Sequence, residues 1–194
     1  MSTAVAPLAT PSQRTTLVPT TSVANLADFG AIPELSTAAV IQGNAQAFRD
    51  AFDSGARRIA IPEGTWHFEE ILYQGNAWLP VGVEIFGQGR EGQTHLIYHP
   101  NDPAIPAFSF APNTLGLLSR STLRNFRLTG PTANALNQPP QGIGISFDQS
   151  LYNHVRDVVI WDFEIGIQFS AGPTPYSGHN NVERFEVNRC RTGV

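Results

Sequence analysis

Apolar positions in this chain fall in short alternating runs, and three of the runs are versions of one another. Residues 123–128 (LRNFRL), 155–160 (VRDVVI) and 182–187 (VERFEV) each read apolar, two polar or charged residues, apolar, one outward residue, apolar. Their starts lie 32 and 27 residues apart. The correspondence continues, since residues 163–167 (FEIGI) stand 27 positions before residues 190–194 (CRTGV). A period of this length marks a solenoid, in which each coil buries its apolar face against the next. Stacking residue 155 between 123 and 182 predicts three outward columns. They are Arg124/Arg156/Glu183, Arg127/Val159/Glu186 and Thr129/Trp161/Asn188. Val194 falls where Ile167 sits one coil earlier, and a terminal repeat needs a polar outer face. The chain is therefore expected to stop in mid-coil.

Upstream, residues 23–31 read as a short apolar strand. A helix follows over about residues 44–54, with Asn44 as N-cap, Ala47, Phe48, Ala51 and Phe52 on one face, and Gly55 as the stop. A start near Ser36 would leave Gly43 and Asn44 inside the helix. This amphipathic helix is expected to cover the open end of the stack. Strands are predicted at 58–61, 65–68, 81–86, 96–98 and 107–110, separated by Gly and polar corners. Insertions at 129–142 and 171–181 interrupt the coils. Residues 1–22, rich in Ser, Thr and Pro without helical or strand period, read as an extended arm.

Composition narrows the class. Only 14% of residues are charged, with 17 Gly and 15 Pro, which suits sheet more than helix. A net charge of −4 implies no nucleic acid partner and no anionic membrane. No apolar stretch reaches the length of a membrane helix. The single cysteine, Cys190, excludes an internal disulfide and a two-cysteine metal site, and its inward position makes it a small core residue.

Residues 28–31 (DFGA), the helix, residues 59–66 (IAIPEGTW) and residues 83–90 (VEIFGQGR) together resemble the entry module of the pectate-lyase-like superfamily, and within it bacteriophage tailspikes. The resemblance covers about residues 23–194. One departure is that residues 32–35 (IPEL) replace the usual Gly-rich stretch after the DFGA strand. It implies an all-β chain: a right-handed parallel β-helix with an N-terminal capping α-helix and an extended N-terminal arm. The divisions are 1–22, an arm that docks on the virion, and 23–194, the start of the β-helix. It also implies a homotrimer located on the virion as an extracellular tail or head spike. The arm would meet a tail, adaptor or capsid protein, and the β-helix would meet bacterial surface polysaccharide.

Glycan cleavage needs two carboxylates about 5–9 Å apart, and stacked strands at about 4.8 Å supply such pairs. The candidate catalytic residues are Asp162, Glu164, Glu183 and Glu186, with Trp161 as a candidate sugar-binding plate. Against this stands the simpler reading that Arg156 and Glu183 form a surface cross-strand pair worth less than about 1 kcal/mol. The balance favours no complete active site in these coils. Residues 87–92 (GQGREG) match a dinucleotide fingerprint, but a strand follows where a helix is required, so they are a corner. His95 and His99, four apart on a strand, lie about 13 Å from each other. His67, His154 and His179 stand without a partner visible in the sequence. No metal and no cofactor are implied.

Three readings compete. The first is the N-terminal part of a phage spike that presents a glycan-binding or glycan-degrading β-helix. The second is a secreted pectate-lyase-like polysaccharide lyase or hydrolase. The third is a complete short protein decorating a capsid or tail.

Overall fold

The 27- and 32-residue spacings are realised as parallel strand pairing. A computed structural model describes residues 23–75, 82–89, 92–112, 118–131, 139–171 and 177–194. After β1 (Val23–Asn25), a 3-10 turn (Leu26–Phe29) and α1 (Ala38–Asp53), the chain visits the same rows of strands repeatedly. The first pass holds β2 (Arg58–Ile61), β3 (Gly64–Phe68) and β4 (Ile71–Gly75). The second holds β5 (Glu84–Gly87), β6 (Thr94–Tyr98), β7 (Phe108–Pro112) and β8 (Leu118–Ser119). The third holds β9 (Thr122–Thr129), β10 (Ile143–Asp148) and β11 (Ser150–Leu151). The fourth holds β12 (His154–Trp161) and β13 (Ile165–Ser170), and β14 (Asn181–Asn188) follows.

All pairings between these strands are parallel. One sheet runs β1-β2-β5-β9-β12-β14, with β3 and β6 alongside and joining it at β9. A second runs β4-β7-β10-β13, and a third pairs β8 with β11. The long strands replace two short ones: the first half of β9 pairs β5 and its second half pairs β6. The bend between halves falls on Asn125, Asp157 and Arg184, which have φ of 61°, 52° and 46°. Asn125 serves the corner before it, donating its amide to the carbonyls of Gly87 (2.8 Å) and Gly89 (2.9 Å). A Cβ on Gly87 would strike the Asn125 backbone carbonyl. Residues 87–89 thus form a corner, and strand β6 follows at Thr94.

The predicted register holds throughout β9, β12 and β14, with Leu123, Val155 and Val182 in line and the three outward columns as expected. Inside, Ile59, Ile85, Leu123 and Val155 form one column. Tyr73, Phe110, Phe147 and Phe169 form another, with ring centroids 5.0–6.0 Å apart.

Some boundaries differ from expectation. β1 stops at Asn25, whose side chain accepts from the Ala27 amide, and residues 26–29 turn as 3-10 helix into Gly30 at φ 88°. The helix spans Ala38–Asp53, beginning before Gly43. Asn44 is not its N-cap. It is buried, and its amide accepts from the Ile32 amide (2.7 Å) and donates to the carbonyls of Ile32 (3.0 Å) and His67 (2.8 Å). These tertiary bonds offset the roughly 1 kcal/mol that Gly43 costs within a helix. The covering role expected of the helix is observed: Phe48 packs edge-on against Phe108 at 5.9 Å, and Phe52 meets Tyr73 at 4.9 Å. Strands β4 and β10 were not predicted. Residues 1–22, 132–138 and 172–176, covering the arm and the middle of both insertions, lie outside the described residues.

Candidate functional site

The outer face of β12 and β14 carries three of the predicted site residues, Trp161, Glu183 and Glu186, while Asp162 and Glu164 lie in the corner between β12 and β13. Three of the acidic side chains near it follow one rule. Asp157 binds Arg184 (2.7 and 2.9 Å), Asp162 pairs with Arg189 (2.9 Å), and Glu164 pairs with Arg191 (3.1 Å). Each partner lies 27 residues further on, one pass below. The ion pairs clip the fourth pass to β14. Asp162 is buried and sits at a corner with φ 63°. The Arg184 bonds hold the Asp157 carboxyl below its usual range. Asp162 and Glu164, read from sequence as catalytic candidates, are therefore engaged in cross-pass pairs.

Glu183 and Glu186 remain. They flank the Arg184 corner, with Glu183 in register with Arg156 and Glu186 with Val159. The register is the expected one, but no ion pair closes between Arg156 and Glu183 among the described residues. Glu186 accepts a hydrogen bond from the Asn188 amide instead.

Trp161 is half-buried, and the Arg127 guanidinium lies 3.8 Å from the centre of its ring. The cation covers one face of the plate, which accounts for its incomplete exposure. Val159, expected as an exposed apolar residue, is half-buried as well. Higher on the face, Glu84 bridges Arg58 (2.6 Å) and Arg124 (2.7 Å), and Arg124 also lies over Phe86 at 4.4 Å. Burial pushes the Glu84 carboxyl up, but the bonds to Arg124 and Arg58 outweigh it and leave the pKa below the usual value. Three donor atoms that are closed off from solvent meet no acceptor among the described residues: Nε of Arg127, Nε of Arg156 and Nε1 of Trp161.

The sequence reading missed the histidines' partners. His67 Nδ1 lies 2.7 Å from His99 Nε2, and His95 Nε2 lies 2.8 Å from Thr129 Oγ1. His179 stacks on Tyr152 with centroids 5.0 Å apart. The repeat spacing gave no signal for this contact, because β3 and β6 pair with an offset of 30 residues that sets His67 beside Ile97, and His99 reaches it from just beyond β6. Cys190 packs half-buried against the core, and burial raises its thiol pKa. Among the described residues no cluster of three or more His, Cys, Asp or Glu is placed to hold a metal, and no helix is long and apolar enough to cross a membrane.

No protein-family model matches this sequence, and no curated protein matches it. Among solved structures, ORF18 of Geobacillus virus E2 is similar at 14% identity with a TM-score of 0.53. The match covers 87% of this chain and 36% of that one. It shows a shared fold, and this chain spans little more than a third of the ORF18 length. A Parabacteroides merdae protein, named as belonging to the glycosyl hydrolases, aligns over 88% of this chain and 97% of its own at 12% identity. Its TM-score of 0.32 is too low to carry an argument.

Proposed function

We propose that this chain is the N-terminal part of a phage or phage-like spike, built as a right-handed parallel β-helix, that presents an outer face to bacterial surface polysaccharide. The observation behind the glycan reading is the half-buried Trp161 ring on the outer face, with the Arg127 guanidinium 3.8 Å from its centre. Repeated visits to the same parallel rows support the β-helix, and parallel crossovers are right-handed in about 98% of cases. The phage name of the ORF18 neighbour supports placement on the virion. In this reading residues 1–22 dock on a tail, adaptor or capsid protein, and three copies associate. Cleavage is not assigned: Asp162 and Glu164 are held in ion pairs, and Glu186 accepts a bond from Asn188, which leaves Glu183 without a second carboxylate to work with.

The test is retention on purified capsular polysaccharides and lipopolysaccharides. Trp161→Ala and Arg127→Ala are expected to weaken binding by about tenfold or more, as the loss of one stacking or charged contact of 1–2 kcal/mol implies. Glu164→Gln is expected to bind like wild type. Equal binding by Trp161→Ala, or no binding by the wild type, would overturn the glycan reading. Light scattering of the chain tests the trimer, and a map of whole particles tests the arm.

A further inference from the structure

Three imidazoles stand along β3, β6 and the residue just after β6, and the glycan face makes no use of the pair among them. His67 and His99 are joined nitrogen to nitrogen at 2.7 Å, with ring centroids 5.0 Å apart. Such a bond needs one N–H donor and one bare nitrogen, so at least one ring must be neutral. The third ring, His95, is bonded to Thr129 on β9.

The pair sits where the cap meets the stack. The His67 carbonyl accepts from Asn44 of α1, and the same Asn44 amide holds both backbone groups of Ile32. Two residues before His67, Thr65 exchanges two bonds with Glu34: its carbonyl accepts from the Glu34 amide (2.7 Å), and its amide donates to the Glu34 carboxylate (2.6 Å). On the other side, the His99 amide donates to the Phe68 carbonyl (2.8 Å). The His67 side chain thus ties the strand that carries the cap to the second pass.

The charged surroundings are mixed. Glu34, from the segment before α1, favours protonation of His67 and His95. Arg127 from β9 opposes protonation of His95, as does His67. Arg49 of α1 lies 3.8 Å from Glu69, and Glu69 and Glu70 both bind Asn101 beyond His99. Burial lowers the pKa of all three rings, and His67 opposes a charge on His99.

We propose that the His67–His99 bond is an acid-sensitive latch, which holds the capping segment to the first two passes and opens when both rings are protonated. One proton can be shared across the bond. A second leaves two N–H donors and two positive charges facing each other with no acceptor between them.

The experiment is amide hydrogen exchange of the whole chain from pH 7.5 to 4.5, corrected for intrinsic rates, together with an imidazole NMR titration. Wild type is expected to lose protection in α1 by about tenfold on acidification, the effect of one pKa unit, while β10 and β13 change little. His99→Gln should flatten the loss in α1. The wild-type titration, which needs no variant to fold, should show two separated steps for the pair. Independent titration of both rings at ordinary imidazole values would overturn the latch. So would equal acid loss in His99→Gln, or simultaneous loss in α1 and β13.

Discussion

The two ends of the stack use the same apolar pattern with opposite results. At the upper end α1 lies over the first pass, and Phe48, Ile59 and Phe68 are fully buried. On β14, Phe185 occupies the column of Phe126 and Val158, yet it is 36% exposed while they are at most 1%. An inward side chain in such a stack is buried by neighbours above and below. Alternation in sequence gives it a direction but not a cover. At the top, an amphipathic helix supplies what a neighbouring pass supplies elsewhere.

The largest effect that would sharpen this contrast comes from Phe48→Ala. It should cost about 3–5 kcal/mol, whereas Phe185→Ala on β14 of this 194-residue chain should cost less than about half as much, both read from denaturant midpoints. Equal costs would break the comparison. Next, Asn44→Ala strips partners from Ile32 and the His67 carbonyl, and should cost about 1–3 kcal/mol while loosening exchange protection around residue 32.

Acid supplies a third test. In the folded chain, burial holds the pKa values of His67, His95 and His99 below the ordinary imidazole value of about 6.5. The unfolded chain therefore binds more protons, and stability falls as pH drops below about 6.5. For His95, lowered to about 4, the fall continues to about that pH and then flattens. His95→Asn should reduce the slope of stability against pH in that window. The carboxyls of Glu84 and Asp157 are depressed instead, so their contributions fade only in the lower, carboxylate range. The smallest effect should come from Arg184→Gln. Its solvated pair with Asp157 is weakened by salt, and the midpoint should move less than in any other variant, least of all at high ionic strength.

Much of the stacking was legible before the structure. The repeats at 123, 155 and 182 predicted the in-line columns, because apolar residues at the first, fourth and sixth places of one motif, recurring at a coil-length interval, have one register that stacks them all. The helix face with Phe48 was legible for a similar reason. Its true start was not, since Gly43 and Asn44 read locally as a boundary, and only the distant Ile32 and His67 carbonyls make Asn44 an interior residue. Strand β10 was hidden in a Gly-rich run, where pairing with β7 and β13 supplies the order that local propensity lacks.

The outward residues divide in the same way. Sequence placed Trp161, Glu183 and Glu186 in the correct columns, because the apolar positions 182, 185 and 187 fix which side faces in, and the bend at Arg184 keeps Glu183 and Glu186 on one side. It could not show Arg127 lying across Trp161, Arg189 and Arg191 engaging Asp162 and Glu164, or His67 meeting His99. Those contacts join side chains that are about 30 residues apart in the chain and one pass apart in space. Their existence depends on how far each long side chain leans across the gap between strands, a quantity that residue order does not encode locally.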